Sequence, residues 1–132
     1  MATRHKKKDL PLRWVVESVE EERSYLEKNM FGCLAVYLHG RLSLLLSSGE
    51  EPWNGLLIPT DHQFHASILK DFSDIVQHPV LKKWLYLPEA SENFETVVED
   101  IVDAIKMNDL RFGVEPSEKV IDKKRSKKQI DL

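Results

Sequence analysis

The chain has 132 residues, a formal net charge of −3, 42% apolar residues and 31% charged ones, so one globular domain with its own core is expected. A single cysteine, Cys33, excludes an intramolecular disulfide and any zinc site built on paired thiolates. No apolar run approaches the ~20 residues of a membrane-spanning helix, and the charged start MATRHKKKDLPLR leads into no apolar segment, so a cytoplasmic protein without membrane association is expected.

Charge divides the sequence into three parts. Residues 1–13 hold five basic residues against one acid, a net +4. Residues 117–132 hold six against three, a net +3, and the middle, 14–116, holds 8 basic and 18 acidic residues, a net −10. One domain over 14–116 with a basic tail at each end follows. Lys6, Lys7, Lys8, Lys123, Lys124, Arg125, Lys127 and Lys128 could bind polyanions weakly and without sequence preference by releasing counterions. The tails carry no aromatic residue for base stacking, so solubilising ends explain the same letters.

In chain order, residues 14–29 read as a helix with Val15, Val19, Glu22 and Leu26 on one stripe. Residues 31–38 read as a strand, His39-Gly40 as a turn, and 41–48 as a second strand with Leu42, Leu44 and Leu46 on one face. A loop at 49–53 and a short strand at 55–58, closed by Pro59, come next. Thr60 and Gln63 have capping-box spacing for a helix carrying Phe64, Ile68 and Leu69. Residues 73–83, with Pro79, read as irregular or partly helical, and 83–87 alternate as a strand. Ser91 or Asn93 caps the last helix, whose Phe94, Val97, Val98, Ile101, Val102 and Ile105 keep the helical period. The expected fold is α+β: a small antiparallel sheet of three or four strands with helices packed on one face, the other face or the hairpin edge 32–46 left open to a partner.

The segment NMFGCLAVYLHGRLSLLL, 29–46, resembles the start of the TfoX N-terminal-domain family through Met30, Phe31 and Gly32, the aromatic Tyr37 and the hairpin glycine Gly40. Lys28 stands where that family usually has arginine, and Cys33 replaces its second glycine. The layout is also similar to the MmcQ/YjbR-like group. Either resemblance implies an α+β fold and a regulatory or DNA-associated role, and neither brings a defined catalytic set.

Candidate sites are few. Glu50 and Glu51, with Trp53 and Asn54 beyond, could line a pocket for a cationic or sugar ligand; a loop tucking Trp53 over the sheet edge is the plainer reading. His62 and His65 have i, i+3 spacing for a shared metal but no third ligand nearby, so no metal is expected. Cys33 beside His39 or His62 could be a nucleophile, but its setting in a strand beside Leu34 and Ala35 suits a small buried apolar residue. The five glycines never cluster into a phosphate loop, and no catalytic motif is present, so nothing supports an enzyme and no cofactor is expected. The leading expectation is a regulatory or adaptor domain acting on a protein partner. A nucleic-acid-associated protein using its tails comes second, and an enzyme with an acidic pocket at Glu50–Asn54 is the remote third.

Overall fold

The computed structural model describes residues 11–30 and 32–116. The basic residues assigned to the two ends, from Lys6 to Lys8 and from Lys123 to Lys128, lie outside them.

The core is a six-stranded antiparallel sheet, so the architecture is α+β but with more strands than expected. Its strands are β1 (Leu26–Met30), β2 (Cys33–Leu38), β3 (Arg41–Ser48), β4 (Asn54–Ile58), β5 (Val76–Gln77) and β6 (Leu85–Pro88). They lie in the order β1-β2-β3-β4-β6-β5. Helix α1 (His65–Asp71) follows a 3₁₀ turn at His62–Phe64, and α2 (Phe94–Lys106) follows β6.

Residues 14–29 do not form a helix. A 3₁₀ turn over Arg13–Val16 runs into further turns, and β1 begins at Leu26. Of the expected stripe only Val15 and Val19 are buried, together with Leu12 and Val16, whereas Glu22 and Leu26 are exposed. The buried part is carried mostly by i→i−3 bonds such as Val15 N–H to Leu12 O and Val19 N–H to Val16 O. Three valines restricted at χ1 and the run Glu20–Glu22 disfavour a continued α-helix here. Leu12 and Arg13, grouped with the N-terminal tail by charge, therefore sit in the domain: Leu12 is in the core, and Arg13 bridges Glu20 and Glu27 at 2.9 and 2.8 Å.

Strand β1 pairs with β2, so the hairpin 33–46 is interior to the sheet and offers no edge. The hairpin turn is as read: His39 and Gly40 both have positive φ, at 57° and 76°, the requirement of a tight two-residue turn that matches strand twist. The faces of β3 are not as read. Val36 pairs with Leu44, but Tyr37 pairs with Leu42, leaving Ser43 as an extra residue. That bulge reverses the alternation. Leu44 and Leu46 join the cluster that holds the helices, whereas Leu42 turns to the other side with Leu45.

Every buried residue of α1 and α2 that joins an apolar cluster belongs to the first cluster, with Leu34, Val36, Leu56, Ile58, Leu85 and Leu87. The opposite face is not open. Cys33, Ala35, Leu42, Leu45, Leu57 and Tyr86 are buried there beneath Trp53, Leu81, Trp84 and Val114. Val114 reaches that face by pairing with Leu42, N–H to O at 3.0 Å and back at 2.9 Å. The Arg41 guanidinium adds a bond to the Gly113 carbonyl at 2.7 Å.

The helix starts also differ. Thr60 does not cap: it is buried and donates to the Arg111 carbonyl at 2.6 Å, while Asp61 caps by accepting from the Gln63 N–H. At α2 neither Ser91 nor Asn93 caps with its own side chain. The Asp74 carboxylate, from the loop before β5, accepts from the Ser91 hydroxyl and the Asn93 N–H. The Ser91 bond holds the Asp74 carboxyl below its ordinary value. Helix α2 itself is as expected, with all six stripe residues buried. No helix of the described residues is long and apolar enough to cross a membrane.

Candidate functional site

The 49–53 loop, the short strand β5 and strand β6 meet at one end of the sheet. Strand β4 runs antiparallel to β6, placing Gly55 opposite Pro88 and Leu57 opposite Tyr86. On the other side of β6, Val76 faces Tyr86 and Gln77 faces Leu85. Between these elements lies a groove of about 450 Å³ lined by Glu51, Pro52, Val76, Gln77, Pro79, Tyr86 and Pro88.

Three prolines and Val76, which is 46% exposed, make the trough apolar. Tyr86 is its floor, buried on the second face of the sheet. The phenol donates to the Asn54 side-chain carbonyl at 2.5 Å, fixing β6 to the start of β4. Burial raises the phenol pKa, and the negative charge of Glu51 raises it further. Glu51 is thus the groove's carboxylate, and among the described residues Tyr86 is its only other ionisable lining group. A lone carboxylate and a phenol do not make the paired acid and base of hydrolytic chemistry.

Behind the lining lies His78, with 0% exposure. Its ring lies tilted against Trp53 at 4.6 Å and edge-on to Tyr86 at 5.2 Å between centroids. Nε2–H donates to the Pro52 carbonyl at 2.9 Å, and Nδ1 accepts from the N–H groups of Val80 and Leu81 at 3.0 and 2.8 Å. Burial lowers the imidazole pKa, so the neutral ring is the form that fits.

The four residues singled out from the sequence, Glu50, Glu51 and Trp53 of the loop and Asn54 at the start of β4, take different places. Glu51 lines the groove, Asn54 anchors its floor, and Trp53 lies behind it, partly buried against the second face of the sheet rather than over an edge. Glu50 serves the turn, its carbonyl accepting from the Trp53 N–H at 2.6 Å. Sequence reasoning missed His78, Val76 and the three prolines. The prolines were the available signal, since Pro52, Pro79 and Pro88 each interrupt a strand or turn at one end of the sheet.

The other candidates separate. The His62 and His65 rings lie tilted against each other at 4.8 Å, but His65 is buried and its Nε2–H donates to the Lys83 carbonyl at 2.9 Å. Among the described residues no group of three His, Cys, Asp or Glu could hold a metal ion. Cys33 is buried at the opposite end of β2 from His39. A second depression, of about 380 Å³, lies between Trp14 and the start of α2 and is walled mainly by polar groups, among them Glu89, Glu92 and Glu95. Comparison with protein-family models, with curated proteins and with solved structures found no match for this chain.

Proposed function

We propose that this domain is a non-catalytic adaptor that takes an extended, basic segment of a partner protein into the groove beside β5. The observation that carries the reading is the groove itself: an apolar trough of prolines and Val76 over a rigid Tyr86 floor, with one carboxylate, Glu51, at its side. Prolines cost little entropy to hold in place, and an extended peptide inserts alternate side chains into such a trough. Glu51 and the net charge of −10 over residues 14–116 complement lysine and arginine and repel phosphate. The resemblance of residues 29–46 to the TfoX N-terminal-domain family implies a regulatory or DNA-associated role, and the regulatory alternative supports this reading; a cytoplasmic location is part of the proposal.

Nuclear magnetic resonance on the ¹⁵N-labelled full chain tests it, with three probes. These are a short peptide alternating lysine and valine, its glutamate–valine counterpart, and a short DNA duplex. The lysine peptide is expected to shift the Glu51, Val76, Gln77 and Tyr86 amides, and Glu51→Lys is expected to abolish the shifts. Shifts at these amides with the duplex or the glutamate peptide, or none with the lysine peptide, would overturn the reading.

A further inference from the structure

His78 bonds across the groove's two walls. Pro52 stands on one wall and Pro79 on the other, and the ring between them holds the Pro52 carbonyl with one nitrogen and the Val80 and Leu81 N–H groups with the other. Only one tautomer satisfies this set, with hydrogen on Nε2 and a bare lone pair on Nδ1. A second proton has a single place to go, Nδ1. There it would point at two N–H donors already at hydrogen-bonding distance, so attraction becomes repulsion at both. Rotating the ring away is blocked, because Trp53 and Tyr86 lie against it.

The charged and titratable groups on the elements packed around the ring are Glu50 and Glu51 on the 49–53 loop, Tyr86 on β6, and Lys82 and Lys83 in the 79–84 turn. The ring's own hydrogen bonds all go to backbone groups, so no carboxylate compensates a positive charge by direct bonding.

We propose that His78 is a proton-operated latch on the groove. Neutral, it holds the Pro52 and Pro79 walls in register; protonated, it releases the 79–81 turn, and the bound segment leaves. This regulation rests on the groove being the docking site. Burial holds the imidazole pKa below its ordinary value, so the latch is closed at neutral pH. A base with a lowered folded pKa contributes stability that is present above its unfolded value, about 6.5, and is lost as pH falls below it.

The experiment follows the imidazole nitrogens of His78 and the amides of Trp53, Val80 and Leu81 in the full chain, from about pH 7.5 down to about pH 5. Nδ1 is expected to resonate as an unprotonated nitrogen at the upper end. The Val80 and Leu81 amides are expected to move with it at one midpoint, below the ordinary histidine value. In parallel, the lysine–valine peptide is expected to lose about tenfold or more in affinity over the same range in the wild type. His78→Gln is expected to bind it with no such dependence.

A ring that titrates while these amides stay fixed would overturn the latch. So would amides that follow another histidine, or a His78 that takes up no proton over the whole range. If His78→Gln fails to fold, the amide titration of the wild type still decides. If the peptide binds at neither pH while the amides and ring move together, the latch stands and the peptide reading falls.

Discussion

The Cα of Gly55 faces the Leu87 carbonyl so closely that a Cβ there would lie 2.1 Å from the oxygen and 2.8 Å from the Glu89 nitrogen. Both neighbours are backbone, so neither can swing aside. The residue also has φ of 143°, which side chains rarely adopt. Strand β4 approaches β6 in this way beside Pro88, at the groove's end.

Gly55→Ala is therefore expected to destabilise the domain by more than about 3 kcal/mol, since the backbone clash adds to the roughly 1–3 kcal/mol of strain at such a position. Denaturant unfolding measures it. A loss below about 1 kcal/mol would mean that β4 and β6 can separate without cost.

Arg111 ties the end of the domain to α1. It donates to Asp71 at 2.7 Å, to Ser67 at 2.8 Å and to Asp109 at 2.9 Å, and lies against the rings of Phe72 and Phe112. The Arg111 hydrogen bonds hold the Asp109 carboxyl below its ordinary value. A carboxylate with a lowered folded pKa contributes stability present above its unfolded value, near 3.9, and lost as pH falls through the folded one. Arg111→Gln is expected to cost about 1–3 kcal/mol at neutral pH and to flatten the loss of stability below about pH 4. Thermal melts across that range check both. A variant whose acid limb stays as steep as wild type would remove Asp109 from the account.

The segments outside residues 11–116 hold ten of the 19 lysines and arginines. If about half of these ten meet phosphates, duplex binding by the full chain should fall with salt at a log-log slope of about −4 to −5. A chain cut to 11–116 keeps 18 of the 22 acidic residues and should show no measurable duplex binding. Equal binding by the two would place polyanion recognition in the acidic domain and contradict the charge argument.

How far the sequence could be read differs by element. Helix α2 was legible because its period was unbroken from Phe94 to Ile105, with acids on the outside. The span of β3, 41–48, was legible too, because Gly40 and Gly49 bracket it. Its faces were not: the bulge at Ser43 leaves no mark in composition, and alternation counted from either end gives a different inside. Residues 14–29 misled because the buried stripe of turns and that of a helix have the same spacing over two turns. Strand β1 was lost with them. The Glu50–Asn54 loop was legible as an acid beside an aromatic. The groove needed β5 and β6 to come alongside, and Val76-Gln77 is too short to declare itself as a strand. His78 was unreadable, since a histidine between Gln77 and Pro79 says nothing of the three backbone groups that the fold brings to its ring.

The pairing of Val114 with Leu42 joins the last described strand-like residue to the third strand, across nearly the whole domain. Gly113 adds a bond to the Pro59 carbonyl at 2.8 Å, and Thr60 holds the Arg111 carbonyl. Helix α2 lies between β6 and this clasp in the chain, so it is tethered to the sheet at both of its ends. Neither end can peel away alone without breaking bonds that belong to the meander. Such closure links the fates of parts that are distant in sequence, and partial opening is penalised nearly as heavily as complete opening. The domain should lose its structure in a single all-or-none step, with calorimetric and van't Hoff enthalpies in agreement; an early transition confined to α2 would show the clasp to be weak.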